Sequence, residues 1–93
     1  MREVKLFPNP IRNSSAVTLK AEGSGIATVK LEIFNLAGTK ALEQEAAGTT
    51  LELQAIDARG RPLANGVYLY AVTVRGFDGK TIGSEVRKLV ILR

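Results

Sequence analysis

The sequence predicts an all-β domain, an antiparallel β-sandwich of about seven strands in the immunoglobulin or fibronectin type III style. Apolar and polar residues alternate with a period of two through most of the chain. Turn-forming residues separate these runs at intervals of about 8–12 residues, which is the spacing typical of a sandwich. Helical periodicity is nearly absent from the chain.

Three strands are predicted in the first third of the chain. Glu3–Phe7 alternates Val and Leu with charged residues and ends at two prolines, so it is expected to be an edge strand. Ala16–Ala21 is the second strand. Ile26–Leu36 is the third, and its apolar alternation reverses at Phe34, which predicts a β-bulge or a change of sheet there.

The segment Lys40–Ala47 has a helical alternative, because its Ala, Leu, Glu and Gln residues have good helix propensity. A segment this short and without caps is too short for a stable helix, so a strand over Lys40–Glu45 is favoured. Leu51 and Leu53 then alternate with polar residues and predict a further strand over Thr49–Leu53.

A turn-rich connection, residues 57–66, leads into a strand with two tyrosines. Tyr68 and Tyr70 share a face with valines, so both are expected to point inward, with one hydroxyl bonded to the backbone as in a tyrosine corner. Asp78-Gly79 predicts a two-residue type I′ hairpin, which makes Thr81–Arg93 the antiparallel partner of the tyrosine strand. Phe77, beside that turn, is the aromatic residue expected to be exposed.

The composition limits the classes of protein to which this chain can belong. The 93 residues, without cysteine, suit one domain with neither disulfides nor thiolate metal sites, and the +4 net charge is spread along the chain. No apolar run is long enough to span a membrane, and the N-terminus lacks the apolar region of a signal peptide. Met1 precedes a strand-like segment directly, so we expect a fragment of a longer protein.

Catalytic and metal-binding chemistry is not expected. The chain has neither His nor Cys to activate a nucleophile, and no serine is followed by Lys at the Ser-x-x-Lys spacing. Glu43 and Glu45 would share a strand face, which is more simply an exposed face, and no calcium-loop motif accompanies them. We therefore predict a non-enzyme with neither a metal site nor a cofactor.

The last predicted strand is apolar on both faces, whereas a sandwich strand needs only one apolar face. Val86, Val90 and Leu92 lie on one face, and Leu89 and Ile91 lie on the other. Either a loop or neighbouring strand covers the second face, or that face is a docking surface for a partner. Three basic residues bracket it: Arg87, Lys88 and Arg93.

Four segments, taken in order, carry a resemblance to a known family. They are Leu6-Phe7-Pro8-Asn9-Pro10, Ile33-Phe34-Asn35-Leu36-Ala37-Gly38, Gly66-Val67-Tyr68-Leu69-Tyr70 and the terminal Lys88-Leu89-Val90-Ile91-Leu92-Arg93. Their order resembles the C-terminal sorting domains of type IX secretion cargo. It is also similar to the immunoglobulin-like domain of the flagellar hook-capping protein.

The resemblance to the sorting domains implies a role for the two ends of the chain. Lys88–Arg93 would be the segment that the outer-membrane secretion machinery recognises, with Lys88 and Arg93 as the recognition charges and the aliphatic residues between them as the anchoring strand. Pro8, Asn9 and Pro10 would form the motif at the junction with the cargo. The physical alternative for that motif is a rigid exit from the first strand.

We therefore expect residues 1–93 to be a single non-catalytic module, the C-terminal part of a larger exported protein, that serves as a secretion-sorting or surface-attachment signal. Its partners would be the secretion machinery or neighbouring domains, and the isolated chain would be a monomer without nucleic acid. One alternative is a structural or assembly module, either hook-cap-like or a spacer. A carbohydrate- or nucleic-acid-binding sandwich is the other, and it is disfavoured because the few aromatic residues are needed in the core.

Overall fold

A computed structural model of the chain describes residues 3–12 and 15–93. Within these residues the chain forms seven β-strands. Their bounds are β1 (Glu3–Phe7), β2 (Ala16–Glu22), β3 (Ile26–Phe34), β4 (Lys40–Ala47), β5 (Thr50–Gln54), β6 (Gly66–Gly76) and β7 (Thr81–Ile91). No helix that is long and apolar enough to cross a membrane occurs in this part of the chain.

The strands form two sheets. One has the order β1-β2-β5 and the other the order β4-β3-β6-β7, and every strand pair within them is antiparallel. This arrangement confirms the predicted sandwich. The predicted edge position of β1 is also confirmed, because β1 pairs with β2 alone among the named strands.

The core lies between the sheets and is built from alternate residues of each strand, as the period of two requires. Val29, Leu31 and Ile33 of β3 are fully buried, as are Val72 and Val74 of β6. No polar or charged residue is buried among the described residues. The core is therefore held by apolar packing, with the polar residues of each strand on the outside.

A register shift between Ile33 and Phe34 confirms the irregularity predicted at Phe34. β3 ends there, two positions before the expected end at Leu36, because the chain turns at once. Asn35 N–H donates to the Thr39 carbonyl at 2.9 Å, and the Asn35 side-chain oxygen accepts from Thr39 N–H at 2.9 Å. These bonds close the turn that leads into β4.

The prediction of a type I′ turn at Asp78-Gly79 is wrong. A type I′ turn needs positive φ at both central residues, and Asp78 does not have it, because only glycines have positive φ among the described residues. The Gly76 carbonyl accepts from Gly79 N–H at 3.0 Å, and Gly76 N–H donates to Lys80 at 2.9 Å. These bonds define a three-residue loop in which Gly79, with φ of 81°, takes the left-handed position.

The strand prediction for Lys40–Glu45 is confirmed, and β4 extends to Ala47. Pairing with β3 overrides the helix propensity of these residues, and Ala41, Leu42 and Ala46 pack against the core. The last strand pairs with β6 as predicted, but β7 ends at Ile91 because the chain then leaves the ladder.

Candidate functional site

The candidate site lies at the C-terminal end of β7, on the outer face of the four-stranded sheet. β6 places its own residues beside those of β7: Val67 is opposite Val90, and Leu69 is opposite Lys88. The two faces predicted for the last strand are confirmed. Leu89 and Ile91 are fully buried, whereas Val86 is 68% exposed and Leu92 47% exposed.

The outer side chains of β6 and β7 form one surface, which we call the terminal-strand surface. It consists of Val67, Leu69, Val86, Lys88, Val90 and the adjoining Leu92. The two β6 members, Val67 and Leu69, are each more than a third exposed, so no described element covers this face. The second apolar face of the last strand is therefore not covered by a loop or a neighbouring strand of the described residues.

Lys88 is the one charged member of the terminal-strand surface. Its register partner is the apolar Leu69, and no ion pair involving Lys88 occurs in the described residues. The nearby Arg87 differs, because its Nε lies 2.8 Å from Glu85 Oε2. The surface therefore offers an apolar contact area with one ammonium group, which suits a partner with apolar and acidic groups.

The Pro8-Asn9-Pro10 motif contacts this strand directly. Asn9 Nδ2 donates to the Lys88 carbonyl at 2.9 Å, and Val90 N–H donates to Asn9 Oδ1 at 3.1 Å. The structure thus brings together the two candidate segments that the sequence analysis placed apart. No local sequence pattern predicts this contact, because the partners lie 79 and 81 positions apart.

Arg93 is bound into the fold through both its backbone and its side chain. Asn65 forms two bonds with the Arg93 backbone: Arg93 N–H donates to Asn65 Oδ1 at 3.0 Å, and Asn65 Nδ2 donates to the Arg93 carbonyl at 3.1 Å. The guanidinium donates to the Leu63 carbonyl at 2.6 Å and to Ser15 Oγ at 2.8 Å. The two expected recognition charges thus differ: Lys88 is free of ion pairs in the described residues, and the Arg93 guanidinium is used within the fold.

The loop that supplies Asn65 is itself held by the tyrosine strand. The Tyr68 hydroxyl donates to the Ala64 carbonyl at 2.7 Å, which confirms the predicted hydroxyl-to-backbone bond. Tyr68 and Tyr70 are both buried, as expected, and Phe77 is 83% exposed. The turn before this loop is closed by Asp57, whose side chain accepts from two backbone N–H groups, those of Arg61 and Arg59, and these bonds lower the pKa of the carboxyl.

The carboxylates singled out in the sequence do not form a site of their own. Glu43 lies 2.6 Å from Lys40 Nζ and 2.9 Å from Lys30 Nζ, and hydrogen bonds from Lys40 and then Lys30 lower its pKa to about 2. Lys40 also contacts Glu32 at 2.8 Å. No cluster of three or more metal-ligating side chains occurs in the described residues.

An open groove of about 590 Å³ lies on the other side of the sandwich, where β4 and β5 meet. Leu42, Leu53 and Ile56 form its apolar wall, and Lys40 and Glu43 line its rim. These two charged groups already pair with each other at 2.6 Å.

The family model for the secretion system C-terminal sorting domain matches residues 5–91 of this chain. Among solved structures, the chain is similar to part of PorZ from Porphyromonas gingivalis, an essential surface component of the type IX secretion system. The identity is 27%, the TM-score is 0.67, and the match covers 97% of this chain and 11% of that one. No curated protein matches.

Two further solved structures share the fold at lower identity. The chain matches PorU from P. gingivalis, solved as a latent dimer, with 22% identity, a TM-score of 0.73, and coverage of 96% of this chain and 9% of that one. It matches CopC from Methylosinus trichosporium OB3b with 16% identity, a TM-score of 0.64, and coverage of 97% and 94%. The chain therefore spans about a tenth of the length of PorZ and PorU.

Proposed function

The chain belongs to the family of secretion system C-terminal sorting domains, and we propose that the secretion machinery recognises it through the terminal-strand surface. The domain is a non-catalytic secretion signal module of exported proteins, which are secreted or held at the cell surface. A sorting domain interacts with the secretion machinery.

One observation carries the proposal: the outward side of the last strand is apolar and uncovered, with Val86 68% and Leu92 47% exposed. Leaving such groups in water forgoes the free energy of burying them, so their clustering around a lysine favours a contact surface. Within the expected segment, Lys88, Val90 and Leu92 would contact the partner. Leu89 and Ile91 would support them from the core, and Arg93 would hold the end of the strand.

We further propose that residues 1–93 are a single domain attached to a larger exported protein. The matches to PorZ and PorU support this, because each covers nearly all of this chain and only 11% and 9% of theirs. In this arrangement the neighbouring domain is a second partner, and Pro8, Asn9 and Pro10 lie near the junction. The isolated chain is proposed to be a monomer.

The test is export of a periplasm-targeted reporter fused ahead of the chain in a type IX-competent host. Delivery of the parent fusion to the surface or medium is expected. Val86→Asp and Leu92→Asp are expected to abolish most delivery, because a buried unpaired carboxylate opposes docking. Phe77→Asp is the matched control, since Phe77 is an exposed apolar residue at 83% exposure outside the surface.

Lys88 is tested separately. Lys88→Ala is expected to reduce delivery, whereas Lys20→Ala, at an exposed lysine of the opposite sheet, is expected to leave it unchanged. Each variant is first checked for an unchanged unfolding midpoint. Retention of the folded parent fusion in the periplasm would refute the sorting role and leave a structural or assembly module as the better account.

A further inference from the structure

We infer that Asn9 is a positioning residue for the terminal-strand surface, an inference that rests on the proposed function. Asn9 belongs to the Pro-Asn-Pro motif. The resemblance to the sorting domains implies for this motif only a position at the junction with the cargo. The Asn9 side chain instead bonds to the backbone on both sides of Leu89, at the Lys88 carbonyl and at Val90 N–H. These are groups that an adjacent strand would otherwise bind.

The amide side chain of asparagine suits this position because it carries one acceptor oxygen and one donor NH₂ group, as a peptide unit does. The donor reaches the Lys88 carbonyl at 2.9 Å, and the acceptor receives Val90 N–H at 3.1 Å. Asn9 therefore substitutes for one residue of a missing neighbouring strand. The flanking Pro8 and Pro10 have fixed φ angles, so this short segment loses less conformational entropy when it packs against β7.

Ile11 extends the same contact toward the end of the chain. Ile11 N–H donates to the Val90 carbonyl at 2.8 Å, and Leu92 N–H donates to the Ile11 carbonyl at 2.8 Å, so Ile11 runs parallel to β7. Ile11 is also fully buried. Between Lys88 and Leu92, four backbone groups on the open edge of β7 are thus bonded to residues 9–11.

This arrangement determines how a partner can approach the surface. The bonded edge leaves no backbone groups between Lys88 and Leu92 for an added strand, so recognition there occurs through side chains on the outer face. Those side chains, Lys88, Val90 and Leu92, keep the fixed spacing of a regular strand only while the backbone is held. Pairing with β6 and the buried Leu89 and Ile91 also hold this segment, so loss of the Asn9 bonds would increase its local opening and lower the fraction that is ready to bind.

The test uses Asn9→Ala and Asn9→Asp, with Asn35→Ala as the matched control. Asn35 also bonds its side chain to an exposed backbone N–H, that of Thr39, but in the turn after β3. Asn9→Ala removes both bonds to β7. Asn9→Asp keeps the acceptor for Val90 N–H and loses the donor to the Lys88 carbonyl, so an intermediate effect is expected.

Two quantities are measured for each variant: hydrogen exchange of the Val90 amide relative to the Val72 amide, and delivery of the reporter fusion. We expect Asn9→Ala to accelerate Val90 exchange about tenfold relative to Val72, which corresponds to two bonds of ordinary strength. Reporter delivery should fall by a smaller factor, because it depends on the fraction that is ready to bind, whereas exchange depends on the rarer open fraction. Asn9→Asp should fall between parent and alanine in both measurements, and Asn35→Ala should change neither.

The outcomes separate the two levels of the proposal. Faster Val90 exchange with full delivery by Asn9→Ala would overturn the positioning role, as would unchanged exchange at Val90. Equal acceleration at Val90 and Val72 would show a general loss of stability and would also overturn it. Retention of the parent fusion would refute the proposed function itself, which the exchange measurement does not test.

Discussion

The two halves of β7 belong to one strand and pair with the same neighbour, yet they differ in what lies on their open edge. Residues 88–91 are bonded to Asn9 and Ile11 on that edge, and their inward residues, Leu89 and Ile91, are fully buried. Residues 81–87 pair with β6 alone among the named strands, and Val86 is 68% exposed. The segment expected to be recognised is therefore also the best anchored part of the strand.

The half of β7 that lacks these bonds, residues 81–87, still has a protected edge. It carries the Glu85–Arg87 ion pair, and charged side chains on an edge strand oppose pairing with other chains. The anchored half has no such need, because residues 9–11 already occupy its edge. The two halves therefore avoid unwanted strand addition by different means. Residues 81–87 use charged side chains, and residues 88–91 have an edge that is already occupied by residues 9–11.

The largest expected effect is on core packing. Leu89→Ala should lower the free energy of unfolding by about 2–4 kcal/mol, because it leaves a cavity at a fully buried position. Val86→Ala should change it by less than about 0.5 kcal/mol, since Val86 is mostly exposed. Urea denaturation of both variants measures this difference. Equal losses would show that the two halves are anchored alike.

Proline substitution compares the two halves of the edge. Ser84 and Val90 both direct their N–H away from β6, because they lie an even number of residues apart in continuous register. Val90→Pro also removes the donor to Asn9, so it should cost about 1–2 kcal/mol more than Ser84→Pro. Urea midpoints of the two variants test this, and a costlier Ser84→Pro would contradict it.

Alanine substitutions of the two basic residues Arg93 and Lys88 should lower the stability of the fold by different amounts. Arg93→Ala removes guanidinium bonds to Leu63 and Ser15 and should cost about 1 kcal/mol. Lys88→Ala should cost less than about 0.5 kcal/mol, because Lys88 has no ion pair within the described residues. Thermal unfolding of the two variants provides the comparison. A larger loss for Lys88→Ala would mean that its charge serves the fold.

The smallest effect is expected for the pH dependence of stability that Glu43 contributes. Hydrogen bonds from Lys40 and then Lys30 lower the pKa of Glu43 from 4.5 to about 2, so these ion pairs stabilise the fold fully above about pH 4.5 and are lost as the pH falls toward 2. Glu43→Gln should therefore differ from the parent at pH 5 and approach it near pH 2.

The Asn9 bonds to β7 provide the contrast, because the Asn9 amide does not titrate. The loss of stability in Asn9→Ala should stay constant over the pH interval in which the Glu43→Gln difference disappears. Urea midpoints at pH 5, 3.5 and 2.5 measure both, with Glu52→Gln, at an exposed carboxylate of β5, as the control. A Glu43→Gln difference that persists at low pH would contradict the assigned pKa.

The alternation of apolar residues determined the positions of the strands and the faces of their side chains. It placed Leu89 and Ile91 on one face and Val86, Val90 and Leu92 on the other, because side-chain direction along a strand is a local property with a period of two. Which of the two faces is buried came from the structure. The inward tyrosines and the irregularity at Phe34 followed from the same pattern. The order of four short segments was sufficient to indicate the sorting family.

Turn geometry was predicted only in part. Asp78-Gly79 marked the hairpin correctly, but the same two residues fit both a two-residue and a three-residue loop. The choice depends on which residues of β6 and β7 pair, and the register shift between Val74 and Arg75 is a property of the whole sheet. A dipeptide signal does not contain that information.

Only the tertiary structure decided how the terminal segment is held. Asn9 and Lys88 are 79 positions apart, and Asn65 and Arg93 are 28 apart, so no local pattern relates them. The sequence was enough to show that residues 88–91 lie in a strand with two apolar faces and that Pro8, Asn9 and Pro10 follow the end of another strand. The packing of the two sheets brings distant residues to one edge. Asn9 can therefore bond to the backbone of β7, and Arg93 bonds within the fold while Lys88 remains exposed.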